Sequence, residues 1–312
     1  MPGSSVVAVG HYQPARVLDN HELARLVDTS DEWITRRVGI RERRVAAPQE
    51  SVADMATAAA LDALRSAGVD PGGVDLVLVA TCTNHDRSPS TAAQVARRLG
   101  IASPAVMDVN AVCSGFCHAL ALADQAIAAG SATRAVVVGV DKFTDFVDWS
   151  DRATCILVGD GAGAVVVEAS GTPTVGPVVW GSVPEMGDAV VIKELPEGFS
   201  QEGQSVFRWT TTALPQIARQ ICERAGLDPH DLGGIVLHQA NLRIIEPLAA
   251  KIGATRAVVA TDVVESGNTS AASVPLALSK LVRSGQVASG EPILLFGFGG
   301  GLAYAGQVIR CP

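Results

Sequence analysis

The sequence repeats itself at a spacing of 158 residues, and this repeat restricts the possible folds more than any other feature. The run Ala67-Gly68-Val69-Asp70-Pro71 returns as AGLDP at 225–229, and each copy leads into an apolar stretch. Each copy predicts an amphipathic helix that ends at the Gly and a buried strand that follows after a short loop. Because the period is close to half of the 312 residues, we expect two copies of one supersecondary unit.

The predicted elements follow one another in the same order in both halves. The first half gives a strand at 74–80, a helix at 91–99, a strand at 105–109, a helix at 113–129 and paired strands at 134–140 and 162–168. The second gives a strand at 235–237, a helix at 242–251, a strand at 258–261, a helix at 270–283 and paired strands at 292–296 and 302–309. Strands that alternate with helices and are apolar along their whole length predict sheets covered by helices on both faces. We therefore expect a five-layered α/β/α/β/α body of two pseudo-twofold halves, residues 1–168 and 169–312.

The composition agrees with close-packed layers and argues against several kinds of partner. Aromatic residues are only 4% of the chain, so the core must consist of Ala, Val, Leu and Gly. A net charge of −8 without a basic run argues against nucleic acid and against an anionic membrane. The sequence shows no signal-peptide pattern or membrane-length apolar stretch. The six cysteines lack zinc-binding spacing, so we expect reduced thiols in a cytoplasmic protein.

Cys113 is the first candidate for a catalytic residue. It follows a predicted strand and begins a predicted helix, with the small residues Ser114 and Gly115 beside it. A thiol at a helix N-terminus feels the positive end of the helix dipole, so we expect a lowered pKa and a nucleophilic thiolate. The alternative is a buried structural cysteine, a role that suits Cys117, one turn further on, better.

A histidine and an asparagine of the second half are candidates to join this cysteine. His238 ends an apolar strand and so lies at the carboxyl edge of the predicted sheet, where open α/β sheets bind ligands. Asn268 lies three residues before position 271, the repeat equivalent of Cys113. Taken alone, His238 could equally be a histidine of the core. Asn268 alone would be an ordinary asparagine of a turn or a helix N-cap. Two helix starts related by a pseudo-twofold axis would face each other, and the three residues together then predict nucleophilic acyl transfer.

Two glycine-rich stretches resemble nucleotide-binding loops only superficially. GDGAGA at 159–164 and GFGGGLAYAG at 297–306 both lead into strand-like runs. A phosphate-binding loop leads from a strand into a helix instead. We therefore predict tight hairpin turns at both places.

Several separated motifs together resemble the β-ketoacyl-(acyl carrier protein) synthase III family, chain-initiating condensing enzymes of the thiolase superfamily. In chain order they are TSDEWI-TRR-GIRERR (29–44), AVCSGF (111–116), DRAT with ILVGDGAGA (151–164), EGQSVFRW (202–209), HQANLRII (238–245), SGNTSAAS (266–273) and GFGGGLAYAG (297–306). They cover essentially the whole chain, and their number and order make the resemblance specific. It implies the thiolase-like fold that the repeat also predicts.

The resemblance implies a decarboxylative Claisen condensation in fatty-acid or polyketide biosynthesis, with Cys113, His238 and Asn268 as the catalytic residues. Cys113 would attack a short acyl-CoA and carry the acyl group, while its own backbone N–H and that of Gly300 hold the oxyanion. His238 and Asn268 would donate hydrogen bonds to the enolate that forms when malonyl-acyl carrier protein loses CO₂. The product would be a 3-oxoacyl-acyl carrier protein, and the reaction would need neither a metal nor another cofactor.

Other positions carry over to the binding of substrates and partners. Trp33, Arg37 and Arg152 would hold the adenine of coenzyme A. The tunnel for pantetheine would be lined by Thr29, Gly203, Phe207, Ala240 and Asn241. A local basic patch for the acidic carrier protein would consist of Arg243, Lys251 and Arg256. The family also implies a homodimer whose central sheets join across a twofold axis.

Departures from the family pattern concern primer selectivity. Ser88 stands where acetyl-selective members carry a bulky aromatic residue, on a loop that reaches the partner subunit's acyl pocket. We therefore predict a pocket that also admits branched or longer primers. The region 168–199, which in the family forms a cap over the acyl pocket, is shorter in this chain than usual.

Two other functions compete with condensation. One is an acyltransferase that passes the acyl group to a hydroxyl, an amine or a carrier protein without condensation. The presence of both His238 and Asn268 disfavours this activity. The other is an inactive subunit that only dimerises, which would lack the nucleophile that Cys113 provides.

Overall fold

The computed structural model describes residues 3–312, which form fourteen strands and ten helices. The strands are β1 (Gly3–Tyr12), β2 (Arg16–Asp19), β3 (Glu42–Val45), β4 (Leu76–Ala80), β5 (Ala105–Val109), β6 (Arg134–Lys142), β7 (Asp160–Ser170), β8 (Val179–Ser182), β9 (Val190–Ile192), β10 (Phe199–Gln201), β11 (Gly234–Leu237), β12 (Val258–Val259), β13 (Pro292–Gly299) and β14 (Ala303–Arg310). The helices are α1 (Asn20–Leu23), α2 (Asp31–Val38), α3 (Val52–Ala67), α4 (Thr91–Leu99), α5 (Gly115–Ala128), α6 (Gly203–Thr212), α7 (Leu214–Arg224), α8 (Leu242–Ile252), α9 (Val263–Ser266) and α10 (Ser273–Ser284).

Two five-stranded sheets, one from each half of the chain, form the framework. Their strand orders are β1-β7-β6-β4-β5 and β8-β14-β13-β11-β12. In the first sheet β4 runs parallel to β5 and β6, and β6 runs antiparallel to β7. The equivalent strands β11, β12, β13 and β14 pair in the same directions. The two sheets therefore share one topology, as the repeat predicts.

The repeat extends to single hydrogen bonds at the helix ends. Helix α3 ends at Gly68 with φ 64°, and α7 is followed by Gly226 with φ 71°. Glycine adopts this left-handed conformation without the steric penalty of a side chain. The carboxylates of Asp70 and Asp228 then each accept a hydrogen bond from the backbone N–H two residues further on. The five matching residues thus mark a repeat of structure as well as of sequence.

Helices α5 and α10 lie between the two sheets and form the middle of five layers. Along β4, Leu76 and Leu78 pack with Phe116 of α5 in the central core, whereas Val77 and Val79 face the outer helices. Helices α3 and α4 cover the outer face of the first sheet, and α7 and α8 cover that of the second. The expected α/β/α/β/α architecture is therefore confirmed.

Of the two glycine-rich stretches, only the second is a hairpin turn. The stretch 297–306 joins β13 to β14, whereas 161–164 lies inside β7, so the predicted hairpin at 159–164 is wrong. A Cβ atom at Gly163 would lie 2.3 Å from the backbone nitrogen of Leu276 in α10. Glycine is needed at position 163 because the middle helix packs directly on the backbone of the sheet there.

The strand that edges the first sheet was not among the sequence predictions. Strand β1 pairs antiparallel with β7 and places the N-terminal segment against α3.

Within residues 3–312, no helix combines the length and the apolar character that crossing a membrane requires.

Candidate active site

Two strained turns bring the predicted helix starts together at the centre of the molecule. Val112 and Ser270 have φ values of 46° and 50°, and they are equivalent residues of the repeat. Positive φ at residues other than glycine costs about 1–3 kcal/mol and is concentrated at functional sites. Each residue begins a 3-10 turn that leads into α5 or α10. A Cβ added at Gly115 would lie 3.8 Å from that of Ala271, so the helix starts face each other as expected.

Cys113 is almost completely buried in the first of these turns. Its Sγ lies 3.8 Å from Oγ of Ser270, and Gly300 lines the same cavity as Cys113. Burial raises the pKa of Cys113 to about 11. The expected lowering of the pKa is therefore wrong, because removal of water outweighs the hydrogen bonds from Ser270 and the backbone that favour the thiolate.

His238 follows β11 at the carboxyl edge of the second sheet. Its backbone N–H donates to the carbonyl of Phe296, and the ring of Phe298 meets the imidazole edge-on at 5.6 Å. Burial lowers the pKa of His238 to about 3, because the surroundings disfavour the charged form. The imidazole is therefore neutral at neutral pH.

Asn268 is held so that only its amide NH₂ group remains free for a substrate. Its backbone N–H donates to the backbone carbonyl of Leu157, and its backbone carbonyl accepts a hydrogen bond from the N–H of Gly159. The side-chain oxygen accepts a hydrogen bond of 2.9 Å from the N–H of Ser270. Because an N–H group can only donate, the atom facing Ser270 must be oxygen, and the amide nitrogen is left for the cavity.

Cys113, His238 and Asn268 line one cavity of about 540 Å³, a volume that includes its open mouth. Gly300, Ala240 and Asn241 line it too. Most of its wall is apolar and is formed by Phe143, Leu157, Val190, Ile192, Phe199, Val206 and Phe298. Strands β9 and β10 supply three of these side chains, so the short 168–199 region does provide a cap. Sequence analysis missed these residues, because nothing in their local pattern points toward the cysteine.

The residues expected to bind the adenine lie together on the surface. Arg152 lies over the ring of Trp33 with its guanidinium carbon 4.7 Å from the ring centre, and that of Arg37 lies 6.0 Å away. The hydroxyl of Thr29 is buried without a hydrogen-bond partner among residues 3–312. Gly203 begins α6, and Phe207 on the same helix is 43% exposed. Their role in binding coenzyme A stays a prediction.

The three basic residues expected to dock the carrier protein do not form one compact patch. Arg243 is exposed at the start of α8, two residues after Asn241 of the cavity wall. Lys251 lies in the last turn of that helix, about 12 Å further along its axis, and donates to a backbone carbonyl. Arg256 follows the helix and pairs with Glu291 at 3.3 Å. Only Arg243 therefore lies near the cavity mouth, and the docking role stays a prediction.

Ser88 lies on the exposed loop before α4 and does not line the cavity of its own chain. This position is compatible with the predicted gate, which concerns the pocket of a partner subunit. In the part of the chain that the structure describes, no cluster of His, Cys, Asp and Glu side chains is placed to hold a metal ion.

A buried carboxylate that sequence analysis missed ties the two halves together beside the site. Asp141 accepts hydrogen bonds from the hydroxyls of Thr81 and Thr83 and from the N–H groups of Cys82 and Ala271. It thereby fixes the start of α10. Burial raises the pKa of this carboxyl. Asp141 and Ala271 are 130 positions apart, and no sequence signal links them.

Comparisons with known proteins match the chain to one family. Residues 107–184 match the family described as 3-oxoacyl-[acyl-carrier-protein (ACP)] synthase III, and residues 222–311 match its C-terminal part. A Streptomyces avermitilis protein called beta-ketoacyl-[acyl-carrier-protein] synthase III 2 is 68% identical, with 100% of both chains covered. Synthase III 4 of Streptomyces coelicolor is 67% identical over 99% of both.

A solved structure is similar over nearly the whole chain. The priming beta-ketosynthase of the R1128 polyketide biosynthetic pathway superposes with a TM-score of 0.96 at 42% identity, covering 99% of this chain and 96% of its own. Its two halves and their layers therefore have close counterparts in this chain.

Proposed function

The chain belongs to the 3-oxoacyl-[acyl-carrier-protein] synthase III family, and from this premise we infer how its residues perform the reaction. It is a condensing enzyme that starts chains by joining a short acyl group to malonyl-acyl carrier protein. The products are 3-oxoacyl-acyl carrier protein, CO₂ and coenzyme A. The roles of individual residues and the identity of the primer are our proposals.

The first half-reaction transfers the acyl group to Cys113. The sulfur attacks the thioester carbon of acyl-CoA, the bond to the sulfur of coenzyme A breaks, and coenzyme A leaves as the thiol. The backbone N–H groups of Cys113 and Gly300, two residues that line the cavity, stabilise the oxyanion of the intermediate. The proton of the Cys113 thiol is conserved overall, because one thiol replaces another.

The second half-reaction uses two hydrogen-bond donors that line the same cavity. The malonyl group loses CO₂, and the electron pair of the broken C–C bond becomes an enolate. The neutral imidazole of His238 and the amide NH₂ of Asn268 donate to the enolate oxygen. The α-carbon then attacks the acyl carbonyl, a new C–C bond forms and the C–S bond to Cys113 breaks. Cys113 leaves as a thiolate and takes up a proton from water, which restores the thiol.

One observation carries this proposal: Cys113, His238 and Asn268 line one apolar cavity, with the NH₂ of Asn268 kept free by Ser270. Simple acyl transfer needs the nucleophile but not a further pair of hydrogen-bond donors in the cavity. The dry wall also strengthens each hydrogen bond to the developing charge. The arrangement therefore favours decarboxylative condensation over transfer alone.

Partners and location extend this proposal. We propose that Arg243 at the cavity mouth contacts an acidic carrier protein, that acyl-CoA enters past Trp33, and that no metal or other cofactor takes part, since loss of CO₂ drives the reaction. The free cysteines suit a reducing compartment, so we place the enzyme in the cytoplasm. We also propose a homodimer, joined through strand β5.

The experiment is to follow the two half-reactions separately. Incubation with a short acyl-CoA should add one acyl group to the wild type, seen by intact-protein mass spectrometry, and addition of labelled malonyl-acyl carrier protein should release ¹⁴CO₂. Cys113→Ala should abolish the adduct. Cys117→Ala, which removes a buried thiol one turn along the same helix, should keep it. An adduct without CO₂ release would favour the acyltransferase alternative, and the absence of an adduct would contradict both.

A further inference from the structure

The first residue of α10, Ser273, contacts Nδ1 of the His238 imidazole. Its Oγ lies 2.7 Å from Nδ1 of His238 and 3.3 Å from the backbone nitrogen of Gln239. Ser273 is completely buried and His238 is 2% exposed, so water does not compete for these bonds. The arrangement is set by tertiary structure, because His238 and Ser273 belong to different elements.

These two contacts decide which ring nitrogen carries the proton. The N–H of Gln239 can only donate, so it takes a lone pair of the Ser273 hydroxyl oxygen. Within residues 3–312 the hydroxyl has no other acceptor in hydrogen-bond contact than Nδ1, so its proton is directed there. In a neutral imidazole whose Nδ1 accepts, Nε2 must carry the hydrogen.

We propose that Ser273 is a positioning residue that holds His238 as the Nε2–H tautomer, so that the imidazole donates a hydrogen bond during decarboxylation. This inference rests on the proposed function, because it assigns the donor to the second half-reaction. Ser273 itself does not line the cavity. The opposite tautomer would present a lone pair to the enolate oxygen and would repel it.

The same helix offers a matched control. Ser279 is also completely buried, and its Oγ lies 2.8 Å from Nδ1 of His11, outside the cavity. Ser279→Ala and Ser273→Ala therefore remove the same group, a buried hydroxyl that contacts a histidine Nδ1. Loss of helix packing should affect both variants alike, whereas loss of the tautomer should affect only one.

The test measures each half-reaction in Ser273→Ala and Ser279→Ala. We expect Ser273→Ala to form acyl-Cys113 at a rate within about threefold of the wild type and to release ¹⁴CO₂ about 10–100-fold more slowly, the usual effect of losing a partner that orients a functional histidine. Ser279→Ala should do both at the wild-type rate. Ser273→Cys, which keeps a weak donor in nearly the same volume, should recover part of the loss.

A spectroscopic readout separates this proposal from the proposed function. In ¹⁵N NMR of histidine-labelled protein, the His238 ring should show a protonated Nε2 and an unprotonated Nδ1, and Ser273→Ala should shift this balance. Unchanged ¹⁵N shifts, or equal slowing of acylation and CO₂ release, would overturn the role of Ser273. A wild type that shows the Nε2–H tautomer but releases no CO₂ would instead overturn the proposed function.

Discussion

Burial sets the chemistry of the catalytic side chains. The same dry surroundings raise the pKa of Cys113 and lower that of His238, because each group is held in its neutral form. A neutral histidine is the form that donates a hydrogen bond without carrying a charge of its own. A neutral thiol also tolerates an apolar cavity until a substrate arrives. Single residues thus acquire their states from the packing around them.

Gly163 shows how strictly the packing limits a single residue. We predict that Gly163→Ala lowers the free energy of unfolding by about 3 kcal/mol, because the new methyl would collide with the backbone of α10. Urea unfolding followed by circular dichroism would measure the change. The control is Gly171→Ala, where a Cβ meets nothing within 4 Å, and it should change stability by less than about 0.5 kcal/mol. Equal stability of the two variants would contradict the close approach of helix and sheet.

Strand β5 is an edge strand of the first sheet. Among residues 3–312 it pairs only with β4, and no strand of these residues covers its outer edge. Its central residue, Met107, is 46% exposed, although native proteins usually protect apolar edges. Two copies of β5 paired across a twofold axis would satisfy both the backbone and the side chain. This is the structural support for the proposed homodimer.

Met107→Glu should therefore convert the dimer to a monomer. The two new carboxylates, one from each subunit, would be buried near each other in the interface. The free energy lost by removing these charges from water exceeds what the hydrogen bonds between the two β5 strands contribute. Analytical ultracentrifugation should show about half the wild-type mass. Val17→Glu, a similar change at an exposed valine of β2, should remain dimeric. A wild type that sediments as a monomer would contradict the role of β5.

Primer selectivity belongs to the scale of the whole molecule if Ser88 acts as the sequence predicts. The cavity wall of one chain is apolar, and Ser88 does not line that cavity. We propose that Ser88 acts on the cavity of a partner subunit, so that primer selectivity would be a property of the dimer.

We predict that the wild type accepts isobutyryl- and isovaleryl-CoA as well as acetyl-CoA, and that Ser88→Phe favours acetyl-CoA by about tenfold or more. One methylene group too many in an apolar pocket changes rates by roughly 10–200-fold. Mass spectrometry of acyl-Cys113 across a panel of primers would measure the ratios. Ser88→Ala, which keeps the side chain small, should leave them unchanged. A wild type that uses acetyl-CoA far better than every branched acyl-CoA would refute the predicted gate.

Local signals in the sequence were enough for the order of elements within the two repeated units and for three residues that line the cavity. Gly68 and Gly226 end helices because glycine alone adopts the required φ freely, and short apolar runs form buried strands wherever they lie. The repeat then placed the starts of α5 and α10 opposite each other. For these reasons Cys113, His238 and Asn268 were found before any distance was known.

Tertiary structure alone decided the states and the surroundings of those residues. The hydrogen bond between Ser273 and His238 and the contact between Asp141 and Ala271 join segments that are far apart in the chain. The burial that keeps the thiol of Cys113 neutral also comes from segments far apart in the chain. Their energies depend on which groups meet and on how much water is removed, and a sequence pattern encodes neither quantity locally. The sequence by itself therefore determined where the reaction takes place, and only packing decided which protons are present when it begins.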